Sequence, residues 1–166
     1  DSANLGEANL TGVSLDDGRV DKVNFTKTKL ESARLVGAKL YETTLDGAYL
    51  RSVNLQGLNL SGLGLRKTNL PGANLVGVNL AGANLAEANL TGANLGDAIL
   101  DQENFFKGKR VDPSLVGAKL NYTTLAGTLL KRSNLTGAIF SRPYQRQTNL
   151  NDQKRCHLTL LRSNLP

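Results

Sequence analysis

The sequence predicts an all-β solenoid whose chain turns a corner after every five residues and stacks leucine side chains inside. Three observations carry this expectation. Leucine recurs at every fifth position: the register from Leu5 to Leu165 contains 33 positions, of which 26 are Leu and four more are Phe25, Phe105, Phe140 and Val20. Small residues stand two places before it, as at Ala3, Ala8, Ala33, Ala38, Ala73, Ala83, Ala88, Ala93 and Ala98. Asn recurs one place before it and Gly two places after it, most clearly over 73–95, ANLVGVNLAGANLAEANLTGANL.

A period of five fits neither a helix, whose face repeats near 3.6 residues, nor a flat strand, whose face repeats at 2. A corner after each five residues resolves it. Ala and Leu, two apart, point to one side as in a strand and face inward, and the Asn between them faces out. The next two residues make the corner, where Gly suits a backbone that needs φ > 0. Leucines twenty residues apart then share a column, as Leu45, Leu65 and Leu85 do, with Leu75 and Leu95 in another. Ala83 and Ala93 are small because the corners converge on a narrow interior.

This pattern resembles the pentapeptide-repeat family, written Ala-(Asp/Asn)-Leu-X-X, over almost the entire chain. The resemblance implies a right-handed quadrilateral β-helix with four pentapeptides per coil. The expectation is one solenoid domain over residues 1–166, with about eight coils and two irregular loops, at about 101–113 and 141–149.

Arg110, Gln145 and Arg155 are the three breaks in the leucine register. An unpaired charge inside a leucine column is costly. Glu103 and Arg110 therefore predict that Lys107 to Asp112 leaves the coil as a loop. Pro143 and Gln145 predict a second loop over 141–147. Loops on a rigid scaffold carry specificity that a regular face lacks. Phe106, Lys107, Lys109, Arg110, Arg142, Tyr144 and Arg146 are accordingly the candidate binding residues, forming one basic site. Lys27, Lys67 and Lys107 are expected to share an outward corner column with Glu87, alternating in charge.

Charge is unevenly spread. Residues 1–106 hold 9 Lys/Arg and 12 Asp/Glu, whereas residues 107–166 hold 11 Lys/Arg and only Asp112 and Asp152, so the net +6 comes from a C-terminal part of +9. No apolar run is long enough to span a membrane as a helix. No signal peptide is expected ahead of Asp1, and the compartment stays open between the cytoplasm and a lumen or periplasm. The single Cys156 excludes an intramolecular disulfide. It adjoins the single His157, but consecutive residues of a strand point to opposite sides, which argues against a metal pair. No catalytic constellation and no cofactor motif is present.

The function expected is therefore a non-catalytic protein-interaction scaffold, with another protein, acidic in character, as partner. The alternative is binding of nucleic acid or another anion through the basic C-terminal third. Some members of the family act as gyrase-directed DNA mimics, but such mimicry needs an acidic rod and this chain has a pI of about 9.6.

Overall fold

The computed structural model describes residues 2–100, 104–106, 109–125, 128, 133–140 and 159–160, and of 104–106, 109–111 and 159–160 the backbone alone. Parallel backbone pairings join residues twenty apart: Asn4 with Asn24, Asn9 with Lys29, Ser14 with Arg34 and Arg19 with Lys39 on the first four sides, and then onward. Four pentapeptides thus complete one coil, and each coil stacks on the next. The rungs are regular. Leu5 N–H donates to the Asn24 carbonyl at 2.8 Å, and Asn24 N–H returns to the Ala3 carbonyl at 2.9 Å.

The residue pattern explains the coil. Nearly every described corner is closed by a hydrogen bond from the residue three past the leucine back to the leucine carbonyl, as from Ala93 to Leu90 at 2.9 Å. The second corner residue has positive φ throughout, as at Gly92 (69°) and Glu87 (61°). That is the pattern of a type II turn, which favours Gly there. An L-residue in this region carries strain of about 1–2 kcal/mol, partly offset in Gly by its greater freedom when unfolded. Tyr122, with φ 56° and an exposed ring, is the bulkiest of the non-glycine corners. Tyr122→Gly is expected to stabilise the fold by about 0.5 kcal/mol, read as a small rise in thermal midpoint. A lowered midpoint would mean that the ring contributes a contact that outweighs the strain.

Inside, the leucines from Leu65 to Leu100 are at most 1% exposed, and Ala73, Ala83, Ala88, Ala93 and Ala98 are fully buried. Leu45 and Leu75, Leu85 and Leu95 all lie in this core, as expected. Threonine replaces alanine at several inward positions and satisfies its hydroxyl locally. Thr28, Thr43 and Thr68 each donate to the leucine or valine carbonyl 23 residues earlier, at 2.7–3.0 Å. The outward asparagines work as turn locks: the side-chain oxygen of Asn89 accepts the Thr91 N–H at 3.2 Å, and its amide reaches Asn69 one coil below at 3.1 Å. Many of the asparagines from Asn69 to Asn89 are half-buried and not exposed as the alternation alone predicts.

The stacking step changes once. Asn79 pairs with Ile99 at the usual twenty residues, but Asn84 pairs with Ser114, thirty residues on. Ten residues have left the coil. They contain an antiparallel hairpin of β1 (Asn104–Phe106) and β2 (Lys109–Val111), with Phe105 opposite Arg110 and Phe106 opposite Lys109. The expected loop over Lys107 to Asp112 is thus a two-stranded ribbon that starts earlier. Two expectations are corrected. Phe105 is not in the column above Leu85, whose place is taken by Leu115: the Leu85 N–H donates to the Ser114 carbonyl at 2.7 Å. The corner above Glu87, expected for Lys107, is that of Val116 and Gly117: the Glu87 N–H donates to the Val116 carbonyl at 2.7 Å. After the hairpin the twenty-residue step returns, and β3 (Ile139–Phe140) pairs in parallel with β4 (Thr159–Leu160).

Candidate functional site

The hairpin leaves the rod between the side that carries Asn79 and Ile99 and the side that carries Asn84 and Ser114. Its exit has a physical cause. Kept in register, this segment would place Glu103 at a small inward position and Arg110 in a leucine column, each an unpaired charge in an apolar interior. The coil closes again at Pro113, which is buried, and Ser114, whose N–H donates to the Ala83 carbonyl at 3.0 Å.

Of the candidate binding residues, Phe106, Lys109 and Arg110 lie on this ribbon, with Phe106 and Lys109 paired in register. Lys107, Arg142, Tyr144 and Arg146 lie outside the described residues, as do Cys156 and His157. Among the described residues no group of three or more His, Cys, Asp or Glu is placed to hold a metal ion. Among them, too, no helix is long and apolar enough to cross a membrane.

The rest of the described surface neutralises much of its own charge. Glu7 and Lys27 pair at 3.0 Å, and Lys67 pairs with Glu87 at 3.5 Å, which is the alternation expected for that corner column, without Lys107. Arg34 is matched by Asp16 and Arg19 by Asp21. The hydrogen bond from Arg19 holds the Asp21 carboxyl below the usual carboxylate range. These pairs are exposed, and such pairs contribute little to stability.

The sequence reading missed one feature. Between the coil containing Ser32 to Glu42 and the coil above it, the expected rungs are absent from Ser32–Arg51 through Glu42–Ser61, and they resume where the Leu45 N–H donates to the Gly64 carbonyl at 2.9 Å. The pairings Arg34–Asn54 and Lys39–Asn59 are likewise missing from an otherwise continuous series. A cavity of about 400 Å³ opens at this seam, between Ala38, Lys39, Leu40 and Tyr41 on one lip and Asn59 and Ser61 on the other, with Arg19 and Asp21 of the coil below also lining it. The signal was present in the sequence. Leu58 and Leu63 occupy consecutive small-residue positions. Extra methylenes in a packed interior force the backbone to shift. Rungs to the coil above hold, for Asn79 N–H still reaches the Leu58 carbonyl at 3.0 Å. The displacement therefore falls on the junction below at Leu58, whereas the side of Leu63 stays tied below through the Leu45 N–H to the Gly64 carbonyl at 2.9 Å.

Comparison with known proteins agrees with this architecture. The pentapeptide-repeat family model matches eight copies, over residues 3–41, 28–62, 65–102 and 114–142. The interval it skips before residue 114 is where the hairpin leaves the coil. The chain belongs to the pentapeptide-repeat family, whose fold is the right-handed quadrilateral β-helix. Among solved structures it is similar to HetL, a pentapeptide repeat protein involved in heterocyst differentiation regulation in the cyanobacterium Nostoc. The identity is 32% and the TM-score 0.51, over 85% of this chain and 64% of HetL, so the chain spans less than two thirds of that protein's length. It is more distantly similar to a pentapeptide repeat protein of the Arabidopsis thaliana thylakoid lumen (20% identity, TM-score 0.40, 87% of this chain and 69% of that one). It also resembles QnrB1, a plasmid-mediated fluoroquinolone resistance protein (13% identity, TM-score 0.49, 86% of this chain and 75% of that one). No curated protein sequence matches.

Proposed function

We propose that the chain is a non-catalytic scaffold that binds an acidic protein partner through a basic site around the hairpin. The observation that carries this reading is the exclusion of ten residues from an otherwise regular coil, as a ribbon that bears Phe106, Lys109 and Arg110. Regular coils present short, repeated side chains and distinguish one level from the next poorly. A ribbon standing off a rigid rod supplies the irregular element that specific recognition uses. Lys107, Arg142, Tyr144 and Arg146 extend the same site in this proposal, within the part of the chain whose net charge is +9.

The charge also suits nucleic acid, which is the competing reading, although the aromatic platforms typical of single-strand binding are sparse. The two are separated by titrating fluorescent polyglutamate and a short DNA duplex into the protein and into the variant Lys109→Glu, Arg110→Glu, Arg142→Glu, Arg146→Glu. Polyglutamate binding is expected to weaken at least about tenfold in the variant and to lose most of its salt dependence, since exposed charges act through screened fields. The fold is expected to survive. Tighter binding of the duplex would transfer the site to nucleic acid, and unchanged polyglutamate binding would move it off the hairpin.

A further inference from the structure

We propose that the seam beneath Leu58 is a second interaction site, which takes a short extended peptide segment of a partner protein carrying acidic side chains. An extended chain is the occupant because of what the lips leave unused. The N–H groups of Leu35, Gly37, Leu40 and Glu42 on the lower coil have no backbone acceptor, and neither have those of Asn54 and Asn59 on the upper. Backbone donors left without a partner are costly when shielded from water, and a β-strand satisfies a row of them at once.

Every other junction between the fully described coils is held by rungs that a ligand would have to break. This one opens without losing any. Its outward residues Arg34, Lys39, Asn54 and Asn59 are exposed and accessible to an incoming chain. The cavity at about 400 Å³ lies within the ~300–1,000 Å³ range of ligand pockets. Its floor is apolar, formed by Ala38 and Leu40, which suits the inward side chains of an alternating strand.

Charge decides the sign of the ligand. Arg19 and Arg34 have carboxylate partners and Lys39 acts on Asp21 through space, while Arg51 on the upper coil forms no salt bridge among the described residues; Arg19, Asp21 and Lys39 together leave the cavity a net positive charge. This positive excess favours glutamate or aspartate on the outward side of the incoming strand.

The test uses the full chain and capped hexapeptides that alternate valine with glutamate or valine with lysine. Amide hydrogen exchange is followed residue by residue. In the free protein the Leu35 and Leu40 amides are expected to exchange at least about tenfold faster than those of Leu55 and Leu60, which keep their rungs. The glutamate peptide is expected to slow Leu35 and Leu40, and Lys39→Glu to weaken that effect about tenfold. Leu58→Ala with Leu63→Ala is expected to close the seam, protecting the same amides without peptide and abolishing peptide binding. Lys109→Glu with Arg110→Glu is expected to leave the seam unaffected, which separates this site from the hairpin. Equal protection of Leu35 and Leu55 in the free chain would overturn the proposal. So would equal protection by the lysine peptide, or loss of seam protection in the hairpin variant.

Discussion

Leu85→Ala is expected to cost about 2–5 kcal/mol of stability, with the result in the upper half of that range. Leu85 is fully buried, in the column that runs through Leu45, Leu65 and Leu115. Burial alone accounts for roughly 1.5–3 kcal/mol of a leucine's contribution. The remainder depends on whether the surroundings collapse into the space left behind, and here they are held apart. The Leu85 backbone is tied upward to Ser114 at 2.7 Å, and the Asn84 N–H is tied downward to the Leu63 carbonyl at 3.0 Å. Rungs on both sides fix the coil spacing, so the void persists. Leu5→Ala provides the internal control. Leu5 is 36% exposed, so much of its side chain already meets solvent, and a loss of less than about 1 kcal/mol is expected. Chemical denaturation of both variants decides the matter. Equal losses at Leu5 and Leu85 would show that the columns are not packed against one another as described.

The solenoid was legible in the sequence because its determinants are local and periodic. A leucine every fifth residue, a small residue two before it and a corner-compatible residue two after it fix the inward direction without any long-range information. The length of the excursion at the hairpin was not legible. Phe105 obeys the leucine register, and a single strand of text gives no sign that an apolar residue in phase has been carried out of the stack. Only the pairing of Asn84 with Ser114 reveals the extra ten residues. The same blindness misplaced Lys107 above Glu87. The seam was missed for a different reason. Leu58 and Leu63 are apolar residues at apolar positions, and their consequence is one of volume, which binary patterning ignores. The candidate basic site was legible as charge, in the balance of residues 107–166, but its assembly depends on how side chains from separate segments converge. Position along the chain does not encode that.

Ala83→Phe is expected to destabilise the fold by more than about 3 kcal/mol, at or beyond the upper end of the usual overpacking cost. Ala83 is fully buried. Its inward column runs from Leu63 below, through Ala83, to the buried Pro113 above, so neither neighbour offers space by moving a flexible chain end. A phenyl ring therefore has to separate coils, and the seam shows how this fold yields. Where Leu58 replaced an expected small residue, the rungs below it were given up while those above held. In the variant the weaker partner is the junction re-entered after the hairpin, where the Ser114 N–H meets the Ala83 carbonyl at 3.0 Å and the Leu85 N–H meets the Ser114 carbonyl. Those two amides are expected to lose exchange protection, while Leu55 and Leu60, more than a coil away, keep theirs. Ala83→Ser adds little volume and separates size from the mere presence of a substitution. Full retention of stability in Ala83→Phe would mean that the interior has room for a ring, and the account of Leu58 as a wedge would fail with it.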